Sequence, residues 1–282
     1  MKTIVAISEI RDYLQSERRN KTIGFVPTMG YLHEGHLSLI RKAKSECDIA
    51  VVSIFVNPTQ FAPNEDFSRY PRDLERDATL AQSVGCDILF VPSDEEMYPS
   101  GFLSAVVVEQ LSSVLEGKFR PTHFKGVTTV VLKLLNIVQP DVAYFGQKDA
   151  QQAIIIKKMV SDLNVPVRIE VVPTVREADG LAMSSRNIYL NAEERKKAVA
   201  LYQSLKLAQS MIHSGERNCA NILSAMQRLI QSQHPTQIDY IEIVDATTLE
   251  PKTELHTNDT VLIPLAVRFG TTRLIDNIII TV

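Results

Sequence analysis

Cysteine is scarce in this chain of 282 residues: only Cys47, Cys86 and Cys219 occur, odd in number and far apart. That excludes a disulfide framework and a cysteine metal knuckle, and it fits reduced, structural thiols in a cytoplasmic protein. Long apolar runs are also missing. None approaches the ~20 residues that span a bilayer, so no membrane association is expected. The first residues, Met1 to Ala6, soon meet Glu9, Arg11 and Asp12 and so lack the apolar core of a secretion signal. Charge of one sign is not in excess: the net charge is −3, with acids and bases interspersed as on solvated helix faces. A nucleic-acid partner is therefore not expected. There is no low-complexity segment and no repeat at a fixed period. Neither the glycine-rich dinucleotide fingerprint nor the Walker phosphate loop occurs. The length is enough to bury a full core, in one large domain and a smaller one.

What the chain does have is concentrated in Pro27-Thr28-Met29-Gly30-Tyr31-Leu32-His33-Glu34-Gly35-His36. An apolar strand-like run, Ile23 to Val26, precedes it, and Leu37, Leu39, Ile40 and Ala43 follow at helical spacing. The order is strand, glycine-bearing turn, then two histidines at a helix start. A helix N-terminus offers unpaired N–H groups and the positive end of its dipole, which attract phosphate. Residues at i and i+3 lie side by side on a helix, so His33 and His36 can serve one anion. The bland alternative is a polar surface turn. Zinc is disfavoured, because a metalloprotease pattern needs histidines at i and i+4 with a third ligand nearby.

Along the rest of the chain, strands alternate with helices. Ile49 to Val56 reads as a strand covered on both faces, ending at Asn57-Pro58-Thr59-Gln60. A helix is expected over about 73–84, then strands at Ile88 to Val91 and Ala105 to Val108. The basic segment Lys118 to Lys125 reads as a loop, and Thr128 to Val138 as a helix. A strand at Asp141 to Gly146 then leads through Gln147-Lys148-Asp149 into a helix ending near Leu163. The last strand of this part is Val167 to Val172. Such alternation implies an α/β fold, a Rossmann-like, doubly wound parallel sheet. Its ligand crevice lies at the carboxyl ends of the strands. Polar clusters at 27–36, 57–60, 146–149 and 173–176 each follow a strand, which brings them to that edge. Beyond a boundary at 175/176, helices near 192–213 and 217–232 and strands near 238–245, 260–268 and 273–281 describe a smaller α+β domain. A polar loop, Glu177 to Asn187, begins it, with Gly180 supplying flexibility.

His33-Glu34-Gly35-His36 resembles the His-x-Gly-His signature of nucleotidylyltransferases and class I aminoacyl-tRNA synthetases. Further blocks narrow the resemblance to the pantothenate synthetase family. They are Phe55-Val56-Asn57-Pro58, Gln60-Phe61, Tyr70-Pro71-Arg72, Arg120-Pro121-Thr122-His123-Phe124, Phe145 to Asp149, Gln151-Gln152, Val175-Arg176-Glu177, Asp179 to Asn187 and Gly270 to Leu274. The match runs nearly end to end. Gln147 departs from it, at a position where glutamate is common.

The resemblance implies a two-step ligase. D-Pantoate attacks the α-phosphorus of Mg-ATP to give pantoyl adenylate and pyrophosphate; β-alanine then attacks the acyl carbon, releasing pantothenate and AMP. It also implies a homodimer of a Rossmann-like domain, residues 1–175, and a C-terminal lid, residues 176–282. By the same carry-over, His33, His36, Lys148 and Arg186 are catalytic. ATP is bound by Met29, Gly30, Tyr31, Leu32, His33, Glu34, Gly35 and His36, by Gly146, Gln147, Lys148 and Asp149, and by Val175, Met183, Ser184, Ser185 and Arg186. Gln60 and Gln152 match positions for pantoate and β-alanine. Asp77 matches a position that helps hold Mg²⁺, the alternative being an exposed helix acid. Two rivals share the histidine motif or the fold: a nucleotidyltransferase making a dinucleotide or CDP-alcohol, and a binding module on the same sheet edge. The first gives no reason for Gln60, Gln152 and the Arg120 block.

Overall fold

The computed structural model describes residues 1–63, 65 and 67–282. The chain divides into two compact units, residues 1–146 with 155–173, and residues 147–154 with 174–282. Segment 147–154, which chain order alone groups with the first part, clusters with the C-terminal unit.

The first unit is built on six parallel strands: β1 (Lys2–Ile4), β2 (Ile23–Thr28), β3 (Ile49–Ile54), β4 (Ile88–Phe90), β5 (Val142–Gly146) and β6 (Arg168–Val172). Their spatial order is β1-β4-β3-β2-β5-β6. The chain therefore winds one way from β2 through β3 and the other way through β5, which makes β2 the switch point where α/β sheets bind ligands. Side chains alternate across a strand, yet these strands read as unbroken apolar runs because both faces are covered. Phe25, Val51, Phe90 and Ala143 pack on one face with Val131, Leu135 and Ile156. Their neighbours Val26, Val52, Leu89 and Tyr144 pack on the other with Leu37, Ile40 and Ala43.

Helices α1 (Ile7–Glu17), α2 (Glu34–Glu46), α3 (Leu74–Ser83), α4 (Asp94–Met97), α5 (Glu116–Phe119), α6 (His123–Val138) and α7 (Ala150–Asp162) connect the strands. The segment expected as the basic loop 118–125 is partly helical. Phe124, Val127, Val131, Leu134 and Val138 continue one buried stripe, so α6 starts a turn and a half before Thr128. The expected strand at 105–108 is not formed, and the segment has no ladder partner among the described residues. Instead Thr129 Oγ1 accepts the Val106 N–H at 3.0 Å, and Thr128 Oγ1 donates to Val106 O at 2.7 Å.

In the second unit, α8 (Ala192–Ala198), α9 (Ala200–His213) and α10 (Cys219–Gln231) accompany an antiparallel sheet of β7 (Gln237–Ile241), β8 (Val244–Asp245), β9 (Thr260–Phe269) and β10 (Thr272–Thr281). The single helix expected over 192–213 is interrupted at Val199, whose N–H turns to Lys197 O. Leu201, Leu205, Ile222, Met226, Ile263, Leu265 and Val267 form its separate core.

Candidate active site

β2 ends in a tightly specified turn. Thr28 Oγ1 donates to Ser53 O on β3 at 2.7 Å and accepts the Gly30 N–H at 3.1 Å. Gly30 (φ +79°) and Tyr31 (φ +50°) are both left-handed, a conformation open to glycine and strained for a tyrosine. The Asp77 carboxylate, from the first turn of α3, accepts the Tyr31 N–H at 2.6 Å and the Leu32 N–H at 2.7 Å, one on each oxygen. Leu32 is fully buried, and the next residue caps α2.

That cap is made by two histidines. His33 Nδ1 accepts the Gly35 N–H at 3.1 Å, and His36 Nδ1 accepts the His33 N–H at 3.3 Å. This is the reciprocal bonding of a capping box, with imidazoles in place of hydroxyl and carboxylate. The ring centroids stand 4.1 Å apart. A neutral imidazole whose Nδ1 accepts must carry its proton on Nε2. Both rings are thus fixed as Nε2–H donors. Glu34, the acid in the first turn of α2, pairs with Arg41, which holds its carboxyl below the usual range.

After β3 the 3-10 turn Pro58–Gln60 presents a second polar group. Gln60 is 7% exposed, and its side chain is oriented from both ends. Asn57 Nδ2 donates to Gln60 Oε1 at 3.1 Å, while Gln60 Nε2 reaches Met29 Sδ at 2.9 Å. Asn57 is set in turn by Tyr98, whose hydroxyl donates to its Oδ1 at 2.9 Å. The Gln60 carbonyl accepts from His123 Nδ1 at 3.1 Å and from Arg120 at 3.4 Å, while Arg120 forks onto Glu65 at 2.8 and 2.7 Å. Burial pushes the His123 pKa down to about 4, and the neighbouring Arg120 adds to it, so this ring is neutral at physiological pH.

The other residues singled out by the sequence lie mostly in the second unit. Gln147, Lys148 and Asp149 form one 3-10 turn, and Ser185 to Tyr189 form another that contains Arg186; both pack against β10. Asn277 on β10 donates from Nδ2 to Gln147 O and Lys148 O, each at 2.9 Å. Asp276 accepts from Arg176 at 2.6 and 3.0 Å. Val175 O accepts the Met183 N–H at 3.0 Å, closing residues 175–183 into a hairpin, and Ser184 Oγ caps Arg186 N–H at 3.2 Å. Gly180 is not a point of flexibility. It holds φ +97°, and a Cβ there would fall 2.2 Å from the Tyr202 ring.

The structure therefore joins Met29 to His36, Asp77 and Gln60 in one network, and sets the turns that contain Lys148 and Arg186 against the same strand, β10. Gly146 closes β5, and Gln152 lies in the first turn of α7. Sequence reasoning gave no role to Asn57, Tyr98, Arg176, Asp276 or Asn277. The signals available among them were the abrupt Asn57-Pro58 stop after an apolar strand and the place of Arg176 in the polar cluster 173–176.

Residues 2–279 match the family described as pantoate-beta-alanine ligase. The chain belongs to that family. It is 56% identical over 283 residues to the pantothenate synthetase of Caldicellulosiruptor saccharolyticus, covering all of both chains. It is also 56% identical to that of Moorella thermoacetica, over 100% of this chain and 99% of the relative. The crystal structure of pantothenate synthetase from Thermus thermophilus superposes with a TM-score of 0.93 at 47% identity, over 99% of each chain. The pantoate-beta-alanine ligase of Francisella tularensis, solved with beta-gamma ATP and beta-alanine, gives 0.82 at 39% identity over 99% of this chain and 97% of its own. The parallel sheet and the smaller antiparallel one are the fold of this family.

Proposed function

We infer that this chain ligates D-pantoate to β-alanine, using ATP and passing through a pantoyl adenylate. The observation that carries the chemistry is the His33–His36 pair, two reciprocally bonded imidazoles locked as Nε2–H donors at the start of α2. An ionised carboxylate attacking phosphorus needs neither a general base nor a protein nucleophile. Catalysis is then positioning together with stabilisation of the charge that grows on phosphate oxygens. His33 and His36 supply neutral N–H donors to the α-phosphoryl oxygens and the pyrophosphate leaving group. Lys148 supplies a point charge and Arg186 a fork, with Ser184 and Ser185 beside it. The residues 29–36, 146–149, Val175 and 183–186 hold the nucleotide, with Asp149 serving the ribose.

Gln60 and Gln152 hold pantoate and β-alanine. Asn57 occupies Gln60 Oε1, which leaves the Gln60 N–H groups as its working end, suited to a carboxylate or hydroxyl oxygen. An amide orients a carboxylate while leaving its attacking lone pairs free, which an arginine fork would not.

Magnesium enters as the counter-ion of ATP, held by phosphates and water. Asp77 does not fit as its ligand: the side chain is 1% exposed and each oxygen accepts a backbone N–H, whereas Mg²⁺ requires open oxygens at about 2.0–2.1 Å. Among the described residues no three His, Cys, Asp or Glu side chains form a metal-binding group.

Residues 1–175 act as the nucleotide- and pantoate-binding domain and residues 176–282 as a lid that shields the water-sensitive acyl adenylate. The molecule works as a homodimer. Residues 102–108 belong to no strand, and Leu103 (95% exposed) and Val107 make an exposed apolar segment that a second copy covers. Three buried, free cysteines fit a reducing cytoplasm, and no described helix is long and apolar enough to cross a membrane.

Exchange of labelled pyrophosphate into ATP tests the reaction. It should require pantoate and proceed without β-alanine. Exchange that appears only with β-alanine would refute the adenylate as first step, and exchange driven by a nucleotide or phospho-alcohol instead of pantoate would favour a nucleotidyltransferase.

A further inference from the structure

We propose that Asp77 is a positioning residue for the reaction inferred above, an internal anion that fills the turn after β2 and thereby sets the rings of His33 and His36. Successive backbone N–H groups turned to one side by a tight turn form a concavity that ordinarily binds a phosphate or carboxylate. The turn at Gly30 (φ +79°) and Tyr31 (φ +50°) presents the Tyr31 and Leu32 N–H groups together, and their occupant comes from within the protein. One Asp77 oxygen takes the Tyr31 N–H and the other the Leu32 N–H, at 2.6 and 2.7 Å. The fit leaves no slack, since a Cβ on residue 30 would stand 2.9 Å from Asp77 Oδ2. Arg76 spans both components, lying 5.1 Å from the Tyr31 ring centroid and 3.5 Å from Asp77 Oδ1.

Two consequences follow. The Tyr31 and Leu32 N–H groups are consumed, so substrate phosphate is directed past them to the histidine Nε2–H donors. The path from the clamp to the chemistry is also very short. Asp77 fixes Leu32 N, Leu32 is buried, and the next residue, His33, both caps α2 and donates its own N–H to His36 Nδ1. A shift of the turn therefore changes the bond that selects the His36 tautomer. An exposed acid on α3 would have no such reach, and a metal ligand would need oxygens that here are already occupied.

Asp77→Asn separates the possibilities, because its amide presents one acceptor and one donor to two backbone donors. With the full chain, pantoate-dependent ATP–pyrophosphate exchange should lose at least about tenfold in kcat, with KM for ATP changed less than about threefold. The Mg²⁺ concentration giving half-maximal rate should stay within about twofold of the unmutated protein's. Nitrogen-15 spectra of the imidazoles should pass from two Nε2–H rings to a mixture of tautomers. A half-saturating Mg²⁺ raised tenfold, with kcat restored at high Mg²⁺, would make Asp77 a metal ligand and overturn the proposal; so would an unchanged kcat. If Asp77→Asn fails to fold, Gly30→Ala displaces the carboxylate from the turn and keeps its charge. The same kcat loss is expected there, and normal kcat would overturn the proposal equally. Absence of exchange in the unmutated protein would refute the ligase reading alone, since the imidazole spectra still decide the role of Asp77.

Discussion

Lys148 can serve a phosphate only if its backbone is held still, and the hold visible in the second unit is Asn277. This side chain is 3% exposed and directs its Nδ2 to the carbonyls of Gln147 and Lys148. Its Oδ1 is buried without a partner among the described residues, so the residue is retained for donation rather than for a balanced set of bonds. Asn277→Ala removes both donors and leaves two carbonyls to find water. At about 1 kcal/mol for each net bond, and up to about 3 kcal/mol for an acceptor left dry, the loss in stability should be about 2–4 kcal/mol. Activity should suffer separately. A displacement of about 1 Å in a charge-stabilising group can cost about 10²-fold, so a drop of ten- to a hundredfold in kcat for pyrophosphate exchange is expected. KM for pantoate should barely move, since Asn277 touches only the Lys148 turn among the assigned site residues. Urea melts give the stability term and steady-state exchange gives the kinetic one, both below the midpoint of unfolding. A destabilised variant with unchanged kcat would refute the reasoning, because it would show that the Lys148 turn does not depend on β10. Asn277→Asp should be worse than Ala, as it sets carboxylate oxygens against the same two carbonyls and next to Asp276.

The other expectations are shorter. His36→Ala should lower adenylation by about 10²–10³ with little change in ATP affinity, the usual cost of one transition-state donor; weak ATP binding with normal turnover in rapid-quench assays would make His36 a ground-state contact. Gln60→Ala should damage pantoate use by about 1–3 kcal/mol through groups left unpaired, while calorimetry of ATP binding without pantoate stays level. Stability should fall with pH through His123. Its folded pKa of about 4 lies below the ordinary 6.5, so between these values the unfolded chain binds the extra proton, and about 3 kcal/mol is lost by pH 4 relative to pH 7. His123→Asn should flatten that part of the profile in urea melts at pH 7, 5.5 and 4; an identical slope in both proteins would show that His123 does not titrate there.

The sheet was legible because a parallel strand buried on both faces leaves an unbroken apolar run, and the polar cluster after each run marks its carboxyl end. β2, β3, β5 and β6 stop at Thr28, Ile54, Gly146 and Val172, next to the clusters read from the sequence, and their parallel pairing puts those ends on one edge. The histidine pair was legible for a similar reason, since a helix start and its cap are local in the chain. What stayed hidden is polar and distant. Asp77 reaches Tyr31 across 46 positions, Arg176 reaches Asp276 across 100, and Asn277 reaches Gln147 across 130. Such pairs impose no period, and one carboxylate or amide among dozens looks like any solvated side chain until the fold brings its partner. Gly180 shows the same limit in reverse. A lone glycine in a polar loop is as compatible with freedom as with close packing, and only the Tyr202 ring against it decides for packing. The side chains proposed as catalytic lie in local motifs, whereas the residues proposed to aim them belong to the tertiary structure. Substitutions at Asp77 and Asn277 should for that reason lower kcat while sparing substrate affinity, the opposite of what their distance in sequence from the histidines suggests.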